Sequence, residues 1–232
     1  MIPRASFVIP AYNAECWLSK AIFSCRNQSV KQIEIIVIND GSTDSTGKIM
    51  DFHAKEDKRV IPIHLFENVG RSEARNVGNR VVTSDIIFVL DSDDMAMRNR
   101  VRDTLAFFKE RNPDVVWGSF FVIDAFGNPG QKIGCTNFDP YVNRDRKLNY
   151  ICHSTMAYRR GVTLNIPYDT GEYSKLGLDD WKFQWDCHKA GYSMKPIKTP
   201  LSYYRDLKGN TMGTRDAVAV SAAKDAYFNV AV

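Results

Sequence analysis

The sequence predicts an α/β domain with a mostly parallel sheet flanked by helices, and three observations support this fold class. The first half of the chain alternates short apolar runs, rich in β-branched residues, with segments of helical spacing. The connections between these segments are a few residues long, which suits right-handed β-α-β crossovers. Polar or acidic residues directly follow several apolar runs, at the edge where open α/β sheets bind ligands.

The elements of the first half follow from apolar runs for the strands and from helical spacing with capping residues for the helices. Ser42-Thr43-Asp44 supplies the caps of the second helix, which runs through Ile49, Met50 and His53. In chain order we expect strand 5–9, helix 15–27, strand 33–38, this second helix, strand 60–66, helix 70–82 and strand 86–90.

The pattern is less regular in the second half. Gly127-Asn128-Pro129-Gly130 is a turn signal, and the segment around it predicts a loop over 125–146. From Leu207 onward we expect either a helix that packs back on the domain or a tail of something longer. The other predicted elements are helix 101–111, strand 115–123, strand 154–158 and helix 179–190.

Composition and charge exclude several classes of protein. Hydrophobic residues make up 44% and charged residues 25% of the chain, as in soluble globular proteins. The net charge of +4 is too small to argue for nucleic-acid binding. The five cysteines are scattered without a CxxC pair, which argues against a zinc site or a disulfide framework and favours reduced thiols.

From the sequence we expect neither a membrane-spanning segment nor a signal peptide. Its apolar runs stay far below the roughly 20 residues of a transmembrane helix, and the N-terminus opens with a strand. We therefore expect a cytoplasmic protein, with peripheral contact to a membrane left open.

Asp91-Ser92-Asp93-Asp94 is the most informative segment, because it follows the buried-strand run 86–90 directly. Three carboxylates so close together repel one another and raise one another's pKa, and a divalent cation removes that conflict. Oxygen ligands suit Mg²⁺ or Mn²⁺. The alternative is an acidic turn that caps the next helix.

Two further strand ends are expected at the same edge of the sheet. Tyr12 follows the first strand and Asp40 the second. A ring can pack on a nucleotide base, a carboxylate can accept from a base N–H or a ribose hydroxyl, and a metal can bridge a diphosphate. The alternatives are a half-buried packing residue for Tyr12 and an Asx turn with Gly41 for Asp40. No GxGxxG or GxxxxGK[ST] loop is present, which counts against dehydrogenases and kinases.

A second acidic pair, Asp179-Asp180, begins the helix that contains Trp181. Aspartate at a helix N-terminus favours capping, while a general base for an acceptor hydroxyl is the functional alternative. Trp181 and Trp185 either shape an acceptor cleft or fill the core, and the core is favoured for at least one of them. His153 either touches an acceptor or is a structural histidine.

Four segments in the right order resemble the inverting glycosyltransferases of family 2, which have the GT-A fold. The match covers about residues 5 to 95, and a weaker one continues to about Tyr204. The resemblance implies one domain over 1–232, with a nucleotide-sugar-binding half over 1–95, an acceptor half over 96–205 and an extension over 206–232. The matching segments are Phe7–Asn13, Ile35–Asp44, Asn68–Gly70 with Ala74–Gly78, and Phe88–Asp94.

The resemblance also implies which residues bind and react. The donor would be a nucleoside-diphosphate sugar, with uridine as the expected base, and the acceptor a hydroxyl of a glycan, glycolipid or other conjugate. Mn²⁺ or Mg²⁺ would be the cofactor. Pro10, Ala11, Tyr12 and Asp40 would line the base pocket, and Arg71 would contact the base or the phosphates. Asp91, with Ser92, would contact the ribose or the donor sugar. Asp93 would be the metal ligand and Asp180 the catalytic base.

The chain departs from the family pattern at three places. Asp179 stands where the family usually has glutamate, and Tyr204-Arg205 is not followed by the family's histidine. The Gln-x-x-Arg-Trp motif of processive synthases is missing, so a single-sugar transferase is expected. Two other functions remain open: a nucleotidyltransferase, and a non-catalytic domain that binds sugar nucleotides or glycans.

Overall fold

The computed structural model describes residues 3–138, 151–207 and 217–229. Its strands form one sheet in the order β3-β2-β1-β4-β8-β6-β9-β5, with β7 beside β6. The strands are β1 Ala5–Ala11, β2 Ile33–Asn39, β3 Val60–His64, β4 Ile86–Val89, β5 Met95–Ala96, β6 Val115–Ile123, β7 Pro129–Ile133, β8 Ala157–Arg159 and β9 Met194–Arg205.

Helices cover both faces of this sheet, which confirms the predicted α/β class. Helices α1, α2 and α4 pack on one face, and α3, α5 and α7 pack on the other. Their bounds are α1 Leu18–Arg26, α2 Thr46–Glu56, α3 Arg71–Val81, α4 Arg100–Arg111, α5 Arg160–Asn165, α6 Glu172–Lys175, α7 Asp179–Lys189 and α8 Ala217–Asn229.

The first four strands are parallel, as the alternating sequence pattern predicts. β1 pairs with β2 on one side and β4 on the other, and β2 pairs with β3. Beyond β4 the sheet is mixed, because β8 joins β4 and β6 in antiparallel register while β6 and β9 are parallel. The parallel half aligns three strand ends at one edge, and the candidate site lies there.

The central strands are buried on both faces because neighbouring residues alternate between two cores. Phe7 and Ile9 of β1 pack with α1 and α2, whereas Val8 packs with α3. Gly78 lets α3 approach closely, since a Cβ there would lie 2.5 Å from a Val8 methyl and 2.8 Å from an Ile38 methyl. This contact fixes the position of α3, which carries Arg71 and Arg75.

Two predictions for the second half need correction, and one strand was not predicted. The predicted loop over 125–146 contains β7, which forms a hairpin with β6; residues 139–146 lie outside the described part. The predicted strand 154–158 is a short 3₁₀ turn, His153–Thr155, followed by β8. The sequence pattern does not predict β9, because Pro196 and Pro200 interrupt its apolar residues. The register of β9 with β6 also shifts around Ser119.

The C-terminal segment contains a helix that packs on the domain, one of the two expected alternatives. Ala223 and Tyr227 of α8 contact Trp181 and Trp185 of α7, and both tryptophans are buried. The prediction that at least one of them fills a core is therefore confirmed. All five cysteines are free thiols. Within the described ranges, no helix combines the length and apolarity needed to span a bilayer.

Candidate active site

The loops after β1 and β2 hold each other through hydrogen bonds. The Asn13 side-chain oxygen accepts from the Thr43 amide at 2.9 Å, and the Asn13 amide donates to Ser42 Oγ at 3.0 Å. Asn13 adopts a left-handed conformation with φ of 46°, which turns the chain sharply after Tyr12. The Tyr12 ring is left 51% exposed at the carboxyl edge, so it is available to a ligand.

Asp40 lies in the floor of this edge. It is buried, and its Oδ1 accepts from the Val69 amide at 2.8 Å. The Asx turn considered for Asp40 is absent there, because the Ser42 amide donates to the Asn39 side chain instead, at 3.0 Å. Gly41 has φ of 67°, and a Cβ at this position would lie 2.5 Å from the Asn68 nitrogen. The loop before α3 therefore packs directly on the turn that contains Asp40. Pro10 and Ala11, at the end of β1, lead into Tyr12 beside this turn.

The acidic segment Asp91–Asp94 forms a tight turn after β4. The Asp91 amide donates to Ser154 Oγ at 2.9 Å, and the Asp94 amide donates to the Asp91 carbonyl at 3.1 Å. Asp94 is buried and accepts from the Arg205 amide at 2.7 Å. The segment does not cap the next helix, since β5 intervenes and α4 begins at Arg100; that alternative is wrong.

The three carboxylates of this turn have very different pKa values. Burial raises the pKa of Asp91, but the charge and hydrogen bond of Arg75, together with His153 and Arg71, outweigh burial and lower the pKa to about 2. Burial and the charge of Asp91 raise the pKa of Asp93 to about 6. Burial and the charge of Asp93 raise the pKa of Asp94 well above its usual value. The turn is therefore short of positive charge at Asp93 and Asp94.

Arg75 connects the acidic turn to the start of α7. Its guanidinium donates to Asp91 Oδ1 at 2.8 Å and to Asp179 Oδ2, and Arg71 donates to Asp179 Oδ1 at 3.0 Å. The two arginines outweigh burial and lower the pKa of Asp179. Asp179 is thus a charged partner of Arg71 and Arg75.

The sequence analysis gave Arg75 no role, although a signal was present. Arg71 and Arg75 are four residues apart in a predicted helix, so they share one face. That face meets the acidic segment at the carboxyl edge.

Asp180 is partly exposed at the first turn of α7, next to this ion network. Its Oδ1 accepts from the Trp181 amide at 2.7 Å, whereas the N-cap residue of the helix is Leu178 and makes no side-chain cap. Asp180 lies in the first helical turn, where the helix dipole favours a carboxylate, and the capping alternative holds in that sense. The structure brings Asp179 and Asp91 together through Arg75, and Asp180 directly follows Asp179 in α7.

His153 is buried behind the turn. Its Nε2 contacts the Tyr168 hydroxyl at 3.2 Å, while Nδ1 has no hydrogen-bond partner in the described part of the chain. Burial, reinforced by Arg75, lowers its pKa to about 3, so the imidazole is neutral. Its burial favours the structural alternative over acceptor contact.

The model of glycosyl transferase family 2 matches residues 6–166, more than half of the chain. The chain belongs to glycosyl transferase family 2. This result confirms the family that the four sequence segments indicated.

Named relatives agree with this family. A glycosyltransferase of Haemophilus influenzae is 30% identical over 202 residues, covering 87% of this chain and 76% of the relative. Glycosyltransferase GlyG of Streptococcus pneumoniae is 34% identical over 119 residues, covering 51% of this chain and 40% of the relative. The chain is therefore a glycosyltransferase, shorter than the proteins it matches.

Solved structures show the same fold. TarS of S. aureus with UDP superposes with a TM-score of 0.70 at 19% identity, covering 96% of this chain and 68% of TarS. A mannosyltransferase of Pyrobaculum calidifontis with GDP-Man and Mn²⁺ gives a TM-score of 0.68 at 16% identity, covering 92% of this chain and 60% of that one. These likenesses establish the glycosyltransferase fold.

The carboxyl edge of this family 2 enzyme fits a metal ion whose ligands come partly from the substrate. Among the described residues, no three histidine, cysteine or acidic side chains converge on one ion position. Mg²⁺-type sites in nucleotide enzymes usually use one or two carboxylates, with phosphate oxygens and water as the remaining ligands. Asp93, an oxygen donor with a raised pKa, meets that requirement.

Proposed function

We propose that this enzyme transfers one sugar from a nucleoside-diphosphate sugar, with UDP as the expected nucleotide, to a hydroxyl of a glycan or glycoconjugate. The transfer would depend on Mn²⁺ or Mg²⁺ and invert the anomeric carbon. One observation carries the proposal: an acidic turn short of positive charge faces the carboxyl edge, and Arg75 connects it to the helix that begins with Asp179 and Asp180.

The donor would bind across the ends of β1, β2 and β4. The exposed Tyr12 ring can pack on the base, and Asp40 can accept from a base N–H through the oxygen that Val69 does not use. Arg71 is partly exposed and can exchange part of its contact with Asp179 for a phosphate oxygen. Structural neighbours with UDP or GDP-Man bound support a nucleotide donor for this enzyme.

Asp93 would hold the metal beside the diphosphate, with Asp91 and Ser92 on the donor side. When bound, the ion supplies Lewis-acid stabilisation of the charge that develops on the departing nucleoside diphosphate. Arg75 neutralises Asp91, so that this carboxylate does not repel the donor.

Asp180 would act as the general base. Asp179 is buried and paired with two arginines, which lowers its basicity, whereas Asp180 is partly exposed at the first turn of α7. Asp180 would take the proton of the acceptor hydroxyl while that oxygen attacks the anomeric carbon, on the side opposite the departing diphosphate. This geometry gives inversion in one step.

The test measures donor binding and turnover separately in two variants. We expect Asp180→Asn to lower turnover about 10²- to 10⁴-fold, with donor affinity nearly unchanged, because a general base acts mainly in the transition state. Asp93→Ala should also weaken Mn²⁺-dependent binding of UDP. Calorimetry with UDP, and UDP release from UDP-sugars with water as the acceptor, give the two quantities.

Asp51→Asn is the matched control, since Asp51 is exposed on α2 and contacts His64. It should change neither quantity. Equal losses of donor affinity in Asp180→Asn and Asp93→Ala would contradict the division of roles. Metal-dependent donor binding without any UDP release would favour a binding domain, and release of pyrophosphate from a nucleoside triphosphate would favour a nucleotidyltransferase.

A further inference from the structure

Arg205, the last residue of β9, contacts the acidic turn through both its backbone and its side chain. Its amide donates to Asp94 Oδ1 at 2.7 Å, and its Nε donates to the Asp93 carbonyl at 2.8 Å. One residue thus holds two consecutive residues of the turn. Arg205 is completely buried, so these contacts are shielded from water.

The other end of the guanidinium contacts the turn between β6 and β7. Nη1 donates to the carbonyl oxygens of Asp124 at 2.9 Å and Ala125 at 3.0 Å. This turn is well ordered, since Asp124 Oδ1 accepts from the amides of Phe126, Gly127 and Asn128, each at 2.9 Å. The two carbonyls are therefore a fixed support for Arg205.

The guanidinium also lies over an aromatic ring. Its central carbon is 4.5 Å from the centre of the Trp17 ring, in the segment that leads from β1 into α1. Arg205 thereby joins three segments that are distant in sequence: the loop after β1, the acidic turn and the β6–β7 hairpin. A planar, five-donor group can make such contacts simultaneously, whereas lysine cannot.

We propose that Arg205 is the positioning residue of the metal-binding turn. By fixing the Asp93 carbonyl, it sets the direction in which the Asp93 side chain points. The backbone amide of the same residue donates to Asp94 and holds that neighbouring carboxylate inside the protein, a contact that substitution of the Arg205 side chain leaves in place. This inference rests on the proposed role of Asp93 as the metal ligand.

The decisive measurement is Mn²⁺ affinity in the presence of saturating UDP, with free Mn²⁺ followed by electron paramagnetic resonance. Residues that orient metal ligands commonly change metal affinity about 10- to 100-fold when replaced. We expect a loss of that size in Arg205→Met and a smaller one in Arg205→Lys. UDP affinity without Mn²⁺ should stay within about twofold of wild type, since the proposed base pocket is formed by Tyr12 and Asp40, whereas the contacts of the Arg205 side chain described above go to Trp17, the acidic turn and the β6–β7 turn.

Arg159→Met is the matched control. Arg159 also lies over a ring, that of Phe108, and its Nε donates to the Pro113 carbonyl at 3.1 Å. It sits at the opposite end of β4, where it pairs with Ile86. This variant should leave both affinities unchanged.

Three outcomes would overturn the inference. The first is that Arg205→Met binds Mn²⁺ with wild-type affinity. The second is that Arg205→Met loses UDP affinity equally with and without Mn²⁺, because an equal loss indicates a general disturbance of the structure. If Arg205→Met does not unfold cooperatively, Arg205→Lys carries the test, and wild-type Mn²⁺ affinity in that variant overturns it. If UDP binding to the wild-type protein does not depend on Mn²⁺, the proposed role of Asp93 as a metal ligand is wrong. That result concerns the wild type alone, so it can be distinguished from a failure of the inference about Arg205.

Discussion

Two clusters of arginine and aspartate lie at opposite edges of the same sheet, and their electrostatics differ. The amino-edge cluster consists of Arg26, His53, Asp57 and Arg59, around the starts of β2 and β3. The carboxyl-edge cluster consists of the acidic turn Asp91–Asp94 with Arg71, Arg75 and Asp179. Both join segments that are distant in sequence, but only the second lies among the proposed site residues.

In the amino-edge cluster one carboxylate serves two arginines. Asp57 accepts from Arg59 Nη2 at 2.8 Å and from Arg26 Nε at 3.2 Å. Hydrogen bonds from Arg59 lower its pKa to about 2 against the opposing effect of burial. Arg59 also donates to the carbonyls of Arg26 and Lys31, which joins α1 to the strand starts. The acidic group is fully compensated, so this cluster stabilises the fold.

In the carboxyl-edge cluster the carboxylates compete for positive charge. Arg75 and Arg71 satisfy Asp179, and Arg75 satisfies Asp91, whereas the pKa values of Asp93 and Asp94 are raised. Neighbouring acids whose pKa values are pushed apart are typical of functional sites. The same residue types therefore stabilise the fold where the charges balance, and they leave carboxylates with raised pKa values at the carboxyl edge where the charges do not balance.

The largest stability effect should come from Arg75→Met, which removes the shared partner of the buried Asp179 and of Asp91, whose side chain is 30% exposed. Removing one partner of a buried ion pair typically costs about 3–5 kcal/mol. Arg26→Met at the amino edge should cost less, because its side chain is 22% exposed and Asp57 keeps Arg59. Urea unfolding of both variants gives the comparison. Equal losses would show that the two clusters do not differ as argued.

A smaller effect of opposite sign is expected for Asp93→Asn in metal-free protein. The pKa of Asp93 is raised, so its contribution to stability is present below about pH 4 and is lost as pH rises through about 6. At pH 7.5 in EDTA, asparagine should therefore raise the free energy of unfolding by about 1–3 kcal/mol. The gain should shrink towards pH 4.

Mn²⁺ with UDP supplies the control for this prediction. The pair should stabilise wild type by mass action and the variant much less. If Asp93→Asn is instead less stable than wild type at pH 7.5 in EDTA, the ionised carboxylate has a partner of its own and the turn is not short of positive charge.

The distinction between local sequence patterns and long-range contacts explains which parts of the site can be predicted from the sequence. The strand 86–90 and the acidic residues after it are local features, and local patterns placed them at the correct edge. The pairing of Arg75 with Asp179 spans 104 residues, and Arg205 reaches Asp93 across 112. No local periodicity encodes such contacts. β9 could not be predicted for a related reason. Its pairing with β6 is a long-range contact, and it accommodates two prolines that, in the sequence alone, argue against a strand.

The smallest effect is expected for Asp57→Asn, which tests whether the amino-edge cluster is structural. The pKa of Asp57 is lowered, so its ionised form stabilises the fold above about pH 4, and this stabilisation is lost as pH falls through about 2. The group is partly solvated, which reduces the expected cost at pH 7 to about 1 kcal/mol. In urea unfolding, the difference in the free energy of unfolding between wild type and Asp57→Asn should be largest near neutral pH and should approach zero towards pH 2. Buried His53 contributes to this difference as well, because the Asp57 charge raises the His53 pKa against the effect of burial and is absent from the variant. UDP binding and Mn²⁺ dependence should remain those of wild type, whereas a loss of Mn²⁺ dependence here would mean that the two edges of the sheet are coupled.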